Sequence, residues 1–204
     1  GVFYYGKKDI YSDQGSSKQR HVCHFKYIVN GDKIYLEYIT DKYLPYTQLS
    51  LNNDILKADQ LEFTRSPNTT NWDAEGLISY GDQLLIFTKN WGDQKTNVYA
   101  IPKTGGTHSA ILVSSFNTNG LITGADISAD GRVIYLSGYS TSEAPFLYTI
   151  HDIPKNSLDI FSGEVSDKIA EIVSLGYQVE GVALFEITPT QHRLYLSNEK
   201  FSTS

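Results

Sequence analysis

The chain has 204 residues, of which 40% are hydrophobic and 20% charged, a balance that is globular rather than disordered and allows one domain with a sizeable core. Its net charge of −6, with no block of like charges, argues against a nucleic-acid partner, whose phosphates need a basic surface. A single cysteine, Cys23, excludes an internal disulfide, and no apolar run reaches the roughly 20 residues that span a bilayer as a helix.

In chain order, residues 1–20 are polar and turn-rich and read as an N-terminal loop with a short strand at Phe3-Tyr4-Tyr5. Phe25 to Val29 and Lys33 to Ile39 flank Asn30-Gly31-Asp32, and Asn-Gly between alternating apolar runs predicts a hairpin because both turn positions favour positive φ. A pattern then recurs three times: a strand opening on a small or acidic residue, a turn, and a second apolar strand. Its copies are Asp73-Ala74-Glu75-Gly76-Leu77-Ile78 with the turn Gly81-Asp82 and Leu84 to Phe87; Ile122-Thr123-Gly124-Ala125-Asp126-Ile127 with the turn Asp130-Gly131 and Val133 to Leu136; and Val179-Glu180-Gly181-Val182-Ala183-Leu184 with a longer turn around Thr188-Pro189-Thr190 and Leu194 to Leu196. Between them, Asn97 to Ile101, Ala110 to Val113 and Phe146 to Ile150 read as outer strands, and a segment near Lys168 to Leu175 is read as strand although its apolar spacing also fits a helix.

The turn glycines Gly31, Gly81 and Gly131 repeat at about 50 residues, the length of a four-stranded propeller blade. The predicted fold is therefore all-β: a β-propeller or partial propeller of about four blades. The N-terminal 1–20 stands apart from a propeller-like domain over 21–204, with units near 21–70, 71–118, 119–175 and 176–204 and closure by the N-terminal strands. A further chain or further subunits completing the ring is also expected from the weak first unit. Methionine is absent even at position 1, so a mature or trimmed product is expected.

The stretch Asn71 to Ile78, followed by Ile86-Phe87-Thr88-Lys89-Asn90-Trp91 and Val98 to Pro102, resembles a group of secreted, propeller-like proteins of Bacteroidota of unknown function, often exported through the type IX system. So do Gly120 to Asp126 with Gly138-Tyr139, and Gln178 to Gly181 with Tyr195 to Glu199. More distantly the pattern is similar to the SdiA-regulated and phytase-like propellers. The resemblance covers roughly residues 60–200 and implies a propeller fold and an extracellular or cell-surface location. It carries no catalytic residue across.

Two constellations bear on chemistry. Asp73 and Glu75 lie two apart on a strand and point the same way, Glu75 and Glu180 hold matching places in two repeats, and Asp126 follows Thr123, which holds that place in the middle one. If the first strands share an axis, these carboxylates converge and could bind a hard cation such as Ca²⁺ or carry a water nucleophile. The alternative is that each Glu-Gly starts an inner strand and its carboxylate caps backbone N–H groups of the neighbouring blade. The second constellation, Trp72, Asn90, Trp91, Asn198 and Glu199, sits at strand ends where a rim would form. An exposed Trp there could stack on a sugar or fill a partner's pocket, while a packing role between blades is the other reading.

Several local matches are set aside. His21-Val22-Cys23-His24 has zinc-ligand residue types and no second cluster to complete the set. Ser197-Asn198-Glu199-Lys200 and Lys103-Thr104-Gly105 fit serine-enzyme patterns in reversed order, and His151-Asp152 alone does not make a base with its orienter. Two functions follow: a secreted or cell-surface non-catalytic module binding a glycan or protein partner, and a calcium-dependent hydrolase of phosphoesters or lactones.

Overall fold

The computed structural model describes the backbone of residues 3–5, 9–12, 19–30 and 33–45 and, from residue 71 onward, every residue except 72, 109, 143, 168–177, 189 and 199–204. The described residues are all-β, with a single 3-10 turn at Ile160–Ser162 and no helix long and apolar enough to cross a membrane.

Strands β1 (Phe3–Tyr5), β2 (Asp9–Ser12), β3 (Gln19–Asn30) and β4 (Lys33–Pro45) form an antiparallel meander. Asn30 pairs with Lys33, so the hairpin that the Asn-Gly signal predicts is present, with strands longer than their apolar cores.

The first repeat builds β5 (Asp73–Tyr80), β6 (Gln83–Lys89) and β7 (Lys95–Pro102). After β8 (Gly106–Thr107), which leaves to pair in parallel with β4, β9 (Ile111–Asn117) closes an antiparallel sheet in the order β5-β6-β7-β9. The second repeat does the same with β10 (Leu121–Ile127), β11 (Ile134–Tyr139), β12 (Pro145–His151) and β13 (Glu164–Asp167). Its fourth strand ends at Asp167, just before the 168–175 segment read from sequence as strand, and that segment falls outside the described residues. The third repeat contributes a two-stranded sheet, β14 (Val179–Thr188) with β15 (Gln191–Asn198). Here the turn is tighter than the sequence suggests. Pairing runs on to Thr188 opposite Gln191, only three positions further along the chain.

Strands and turns follow from the residues that make them. Leu84, Leu85, Ile86 and Phe87 are all almost fully buried, and a continuous apolar run of this kind suits a strand covered on both faces. Gly81 and Gly131 adopt φ of +55° and +74°, the left-handed region that a Cβ disfavours, with open space around both.

The sheets pack through their first strands, with β10 lying against β5 on one side and β14 on the other. Ile78, Leu85, Phe87 and Val98 of the first sheet meet Ile122, Ile134, Leu136, Phe146 and Ile150 of the second in one core. Each such side chain contributes about 1.5–3 kcal/mol by leaving water. The third sheet is thinner: Phe185, Ile187 and Tyr195 are 58%, 49% and 54% exposed.

Candidate functional site

The three first strands share a local device. Each carries an apolar residue, a polar one and a glycine: Ala74-Glu75-Gly76, Ile122-Thr123-Gly124 and Val179-Glu180-Gly181. In each the pairing register slips between the first and the third of these residues. Glu75, Thr123 and Glu180 are therefore the extra residues of three equivalent β-bulges, which bend a strand and re-aim the unpaired side chain.

The glycines let the sheets approach. A Cβ on Gly124 would meet Ser137 Oγ at 2.7 Å, Gly181 Cα at 2.8 Å and Val182 N at 2.9 Å, and one on Gly76 would meet Ala125 Cβ at 3.2 Å. The bulged Thr123 is fully buried, and its hydroxyl donates to the Val179 carbonyl of the next sheet. At the same position Glu75 and Glu180 are half-buried.

These bulges lie at one end of the sheets, where β5, β10 and β14 begin, called here the strand-start end. Register brings the end of β6 to the same place, with Lys89 opposite Asp73, and the end of β11, with Tyr139 opposite Leu121. Lys89 and Tyr139 thus occupy equivalent positions in consecutive sheets. Lys89 is 6% exposed, and its Nζ lies 5.1 Å from the ring centroids of both Trp91 and Tyr139, a cation–π geometry on two sides. The Trp91 indole N–H donates to Asp73 Oδ2 at 3.2 Å, and Asp73 Oδ1 is buried with no hydrogen-bond partner among the described residues.

Burial pulls the Lys89 pKa down, but the Tyr139 hydroxyl and then the Glu180 and Glu75 carboxylates outweigh it and hold the ammonium above its ordinary range. Burial raises the Tyr139 phenol, partly offset by Lys89 and reinforced by Glu180 and Glu75. At neutral pH the pair is an ammonium and a neutral phenol. The end offers fixed charge and hydrogen bonds, with neither a free amine nucleophile nor a tyrosinate base.

The other predicted residues separate. Asn90 is wholly buried and builds the β6–β7 turn: it accepts from Thr88 Oγ1 at 2.5 Å, donates to Asp93 at 3.1 Å, and its carbonyl accepts the Gln94 N–H at 3.0 Å. Its polar atoms are used within the fold. Asn198 is exposed at the same end, opposite Val179. Trp72 and Glu199 lie outside the described residues. Asp126 does not join Asp73, Glu75 and Glu180. Its carboxylate accepts the Leu184 N–H of the third sheet at 2.7 Å and its own neighbour Ile127 N–H at 2.8 Å. Burial raises its pKa and those two N–H groups pull it back. The capping role considered for the Glu-Gly carboxylates is the one Asp126 performs.

Lys89 and Tyr139 were not singled out in the sequence. A lysine just past the apolar run Leu84 to Phe87, in register with Asp73, is the signal that could have marked the first.

No protein-family model matches the chain, and no curated protein matches it significantly.

Proposed function

We propose that the chain is a secreted or cell-surface β-propeller module, or part of one, that binds a glycan or protein partner at the strand-start end without catalysing a reaction. The propeller reading is supported by consecutive four-stranded meanders packed first strand to first strand. The location rests on the resemblance to secreted propeller-like proteins of Bacteroidota.

The observation that carries the binding reading is Lys89. Its buried ammonium stands in the field of Glu75 and Glu180, the position a divalent ion would need. The chain supplies its own cation there, and Trp91 is fixed by Asp73 beside it as a half-buried aromatic surface. A fixed indole edged by carboxylates and an ammonium suits a polyhydroxylated or polar surface, which needs stacking area and paired donors and acceptors.

A glycan array and a pull-down with the native protein against Trp91→Ala test this reading. Loss of the bound set in the variant supports it, and identical profiles discard Trp91 as the anchor. The calcium-dependent hydrolase remains a second reading because the Asp73 Oδ1 atom is buried and unpartnered. A calcium titration followed by Tm separates the two. A rise abolished by Glu75→Gln with Glu180→Gln supports the hydrolase, and no rise at millimolar calcium removes it.

A further inference from the structure

The opposite end of the sheets, where the hairpins turn, holds a second group that the reading above does not use. We propose that His151, Asp152 and Glu164 form a binding site for a borderline divalent transition-metal ion such as Zn²⁺.

Backbone pairing places the first and last of these together. His151 ends β12 and lies directly opposite Glu164, which opens β13, so the two side chains are cross-strand neighbours. Asp152 follows with φ of +53°, and its Oδ2 meets His151 Nδ1 at 2.9 Å. One ligand atom from each of the three lies within 4.8 Å of the other two.

Charge favours a cation at this group. Two carboxylates share the group with a single imidazole, which is positive only when it carries a second proton. Among the described residues, the ion pair that Asp152 makes is with His151, and the neighbouring Arg132 pairs instead with Asp130. A divalent ion would neutralise both carboxylates at once.

The ligand types narrow the ion. Imidazole nitrogen with two carboxylate oxygens suits Zn²⁺ and its transition-metal neighbours, whereas Ca²⁺ takes oxygen ligands almost alone. Three protein ligands leave a coordination position for water. Room for it exists: a cavity of about 160 Å³ is lined by His151, Asp152, Val133 and His192, together with the Asp130–Arg132 ion pair. His192 belongs to the third sheet and is held by Tyr135 Oη, 2.9 Å from its Nδ1.

Calorimetric titration of the full chain with Zn²⁺ tests the proposal, with Co²⁺ as a spectroscopic stand-in. Saturable binding of one ion per chain is expected. His151→Ala and Glu164→Gln are each expected to weaken it by at least about tenfold, the scale on which losing a single group in or around a metal site reduces affinity. The visible Co²⁺ spectrum should vanish in His151→Ala, while His108→Ala, outside the ligand group and bonded to the Thr104 carbonyl, binds as the native protein does. Because His151 and Glu164 lie at the surface, circular dichroism should show both variants folded. Absence of saturable Zn²⁺ binding, or binding that survives His151→Ala and Glu164→Gln, or loss in His108→Ala instead, would overturn the assignment.

Discussion

The strand-start and hairpin ends of the same sheets carry similar residue types and treat them in opposite ways. At the strand-start end Lys89 is 6% exposed and lies between two aromatic rings, so its charge acts on Glu75 and Glu180 through protein. At the hairpin end the side chains of His151 and Asp152 are 35% and 82% exposed and their charges act through water. Coulomb energies at one separation differ several-fold between these surroundings, and salt screens the exposed group far more. The first end is organised without a ligand. The second gathers ligand atoms of one imidazole and two carboxylates at the surface.

Both ends depend on how closely the sheets approach, and the largest expected effect tests that. Gly124→Val puts atoms where Ser137, Gly181 and Val182 already stand, two of the three contacts being backbone. It is expected to lower stability by about 3 kcal/mol, at the upper end of the usual range for overpacking, as measured by denaturant unfolding. Loss of both the Trp91-dependent and the zinc-dependent binding is expected with it. A variant as stable as the native chain would mean that the second and third sheets do not meet at Gly124.

Next comes Lys89→Met, which keeps most of the apolar stem of the side chain and removes the cation. The half-buried carboxylates then lose their counter-charge, and a destabilisation of about 2 kcal/mol at neutral pH is expected, below the value for a fully buried pair. The folded-state pKa of Lys89 is raised above its ordinary 10.5. Its contribution is therefore complete below that value and lost as pH rises through the higher folded one. The gap between native and variant should close in strongly alkaline solution. In addition, the variant should show a calcium-dependent rise in Tm larger than any in the native protein. A pH-independent gap with no calcium response would show that Lys89 acts by packing alone.

Much of this fold is legible in the sequence, and the comparison of the two ends shows where reading stops. Glycines needing positive φ announce the hairpins at Gly81 and Gly131, and apolar runs announce the strands beside them. Local conformation is set by local residues, so these features can be read. The shared place of Glu75 and Glu180 is likewise visible from the repeated Glu-Gly. That Thr123 and both glutamates are bulged residues is not, because a register slip exists only between two strands. Asp126 misleads for a simple metric reason: three residues along a strand cover roughly 10 Å, enough to carry its carboxylate away from the strand-start end. Lys89 meets Tyr139 across sheets, and His151 meets Glu164 across a 3-10 turn and its flanking loops. Packing of this range leaves no pattern in a single sequence.

The smallest expected effect belongs to the hairpin end and sharpens the contrast. Asp130 is held down to about 2, first by the Ser128 hydroxyl, with burial opposing and the Arg132 hydrogen bonds and charge lowering it further. Ser128 Oγ donates to Asp130 Oδ1 at 2.7 Å, the Arg132 N–H donates to it at 3.0 Å, and Arg132 Nε reaches Oδ2 at 2.6 Å. A depressed carboxylate pKa means that the stabilising interaction is present above the ordinary value of 3.8 and is lost as pH falls through about 2. The group is exposed, so Asp130→Asn is expected to lower neutral-pH stability by less than about 1 kcal/mol, with the difference shrinking below pH 3.8 and in high salt. Thermal melts of both proteins across that acid range measure it. A loss as large as that of Lys89→Met would mean that the hairpin end is as strongly coupled as the buried one, and the distinction between screened and unscreened charge would fail.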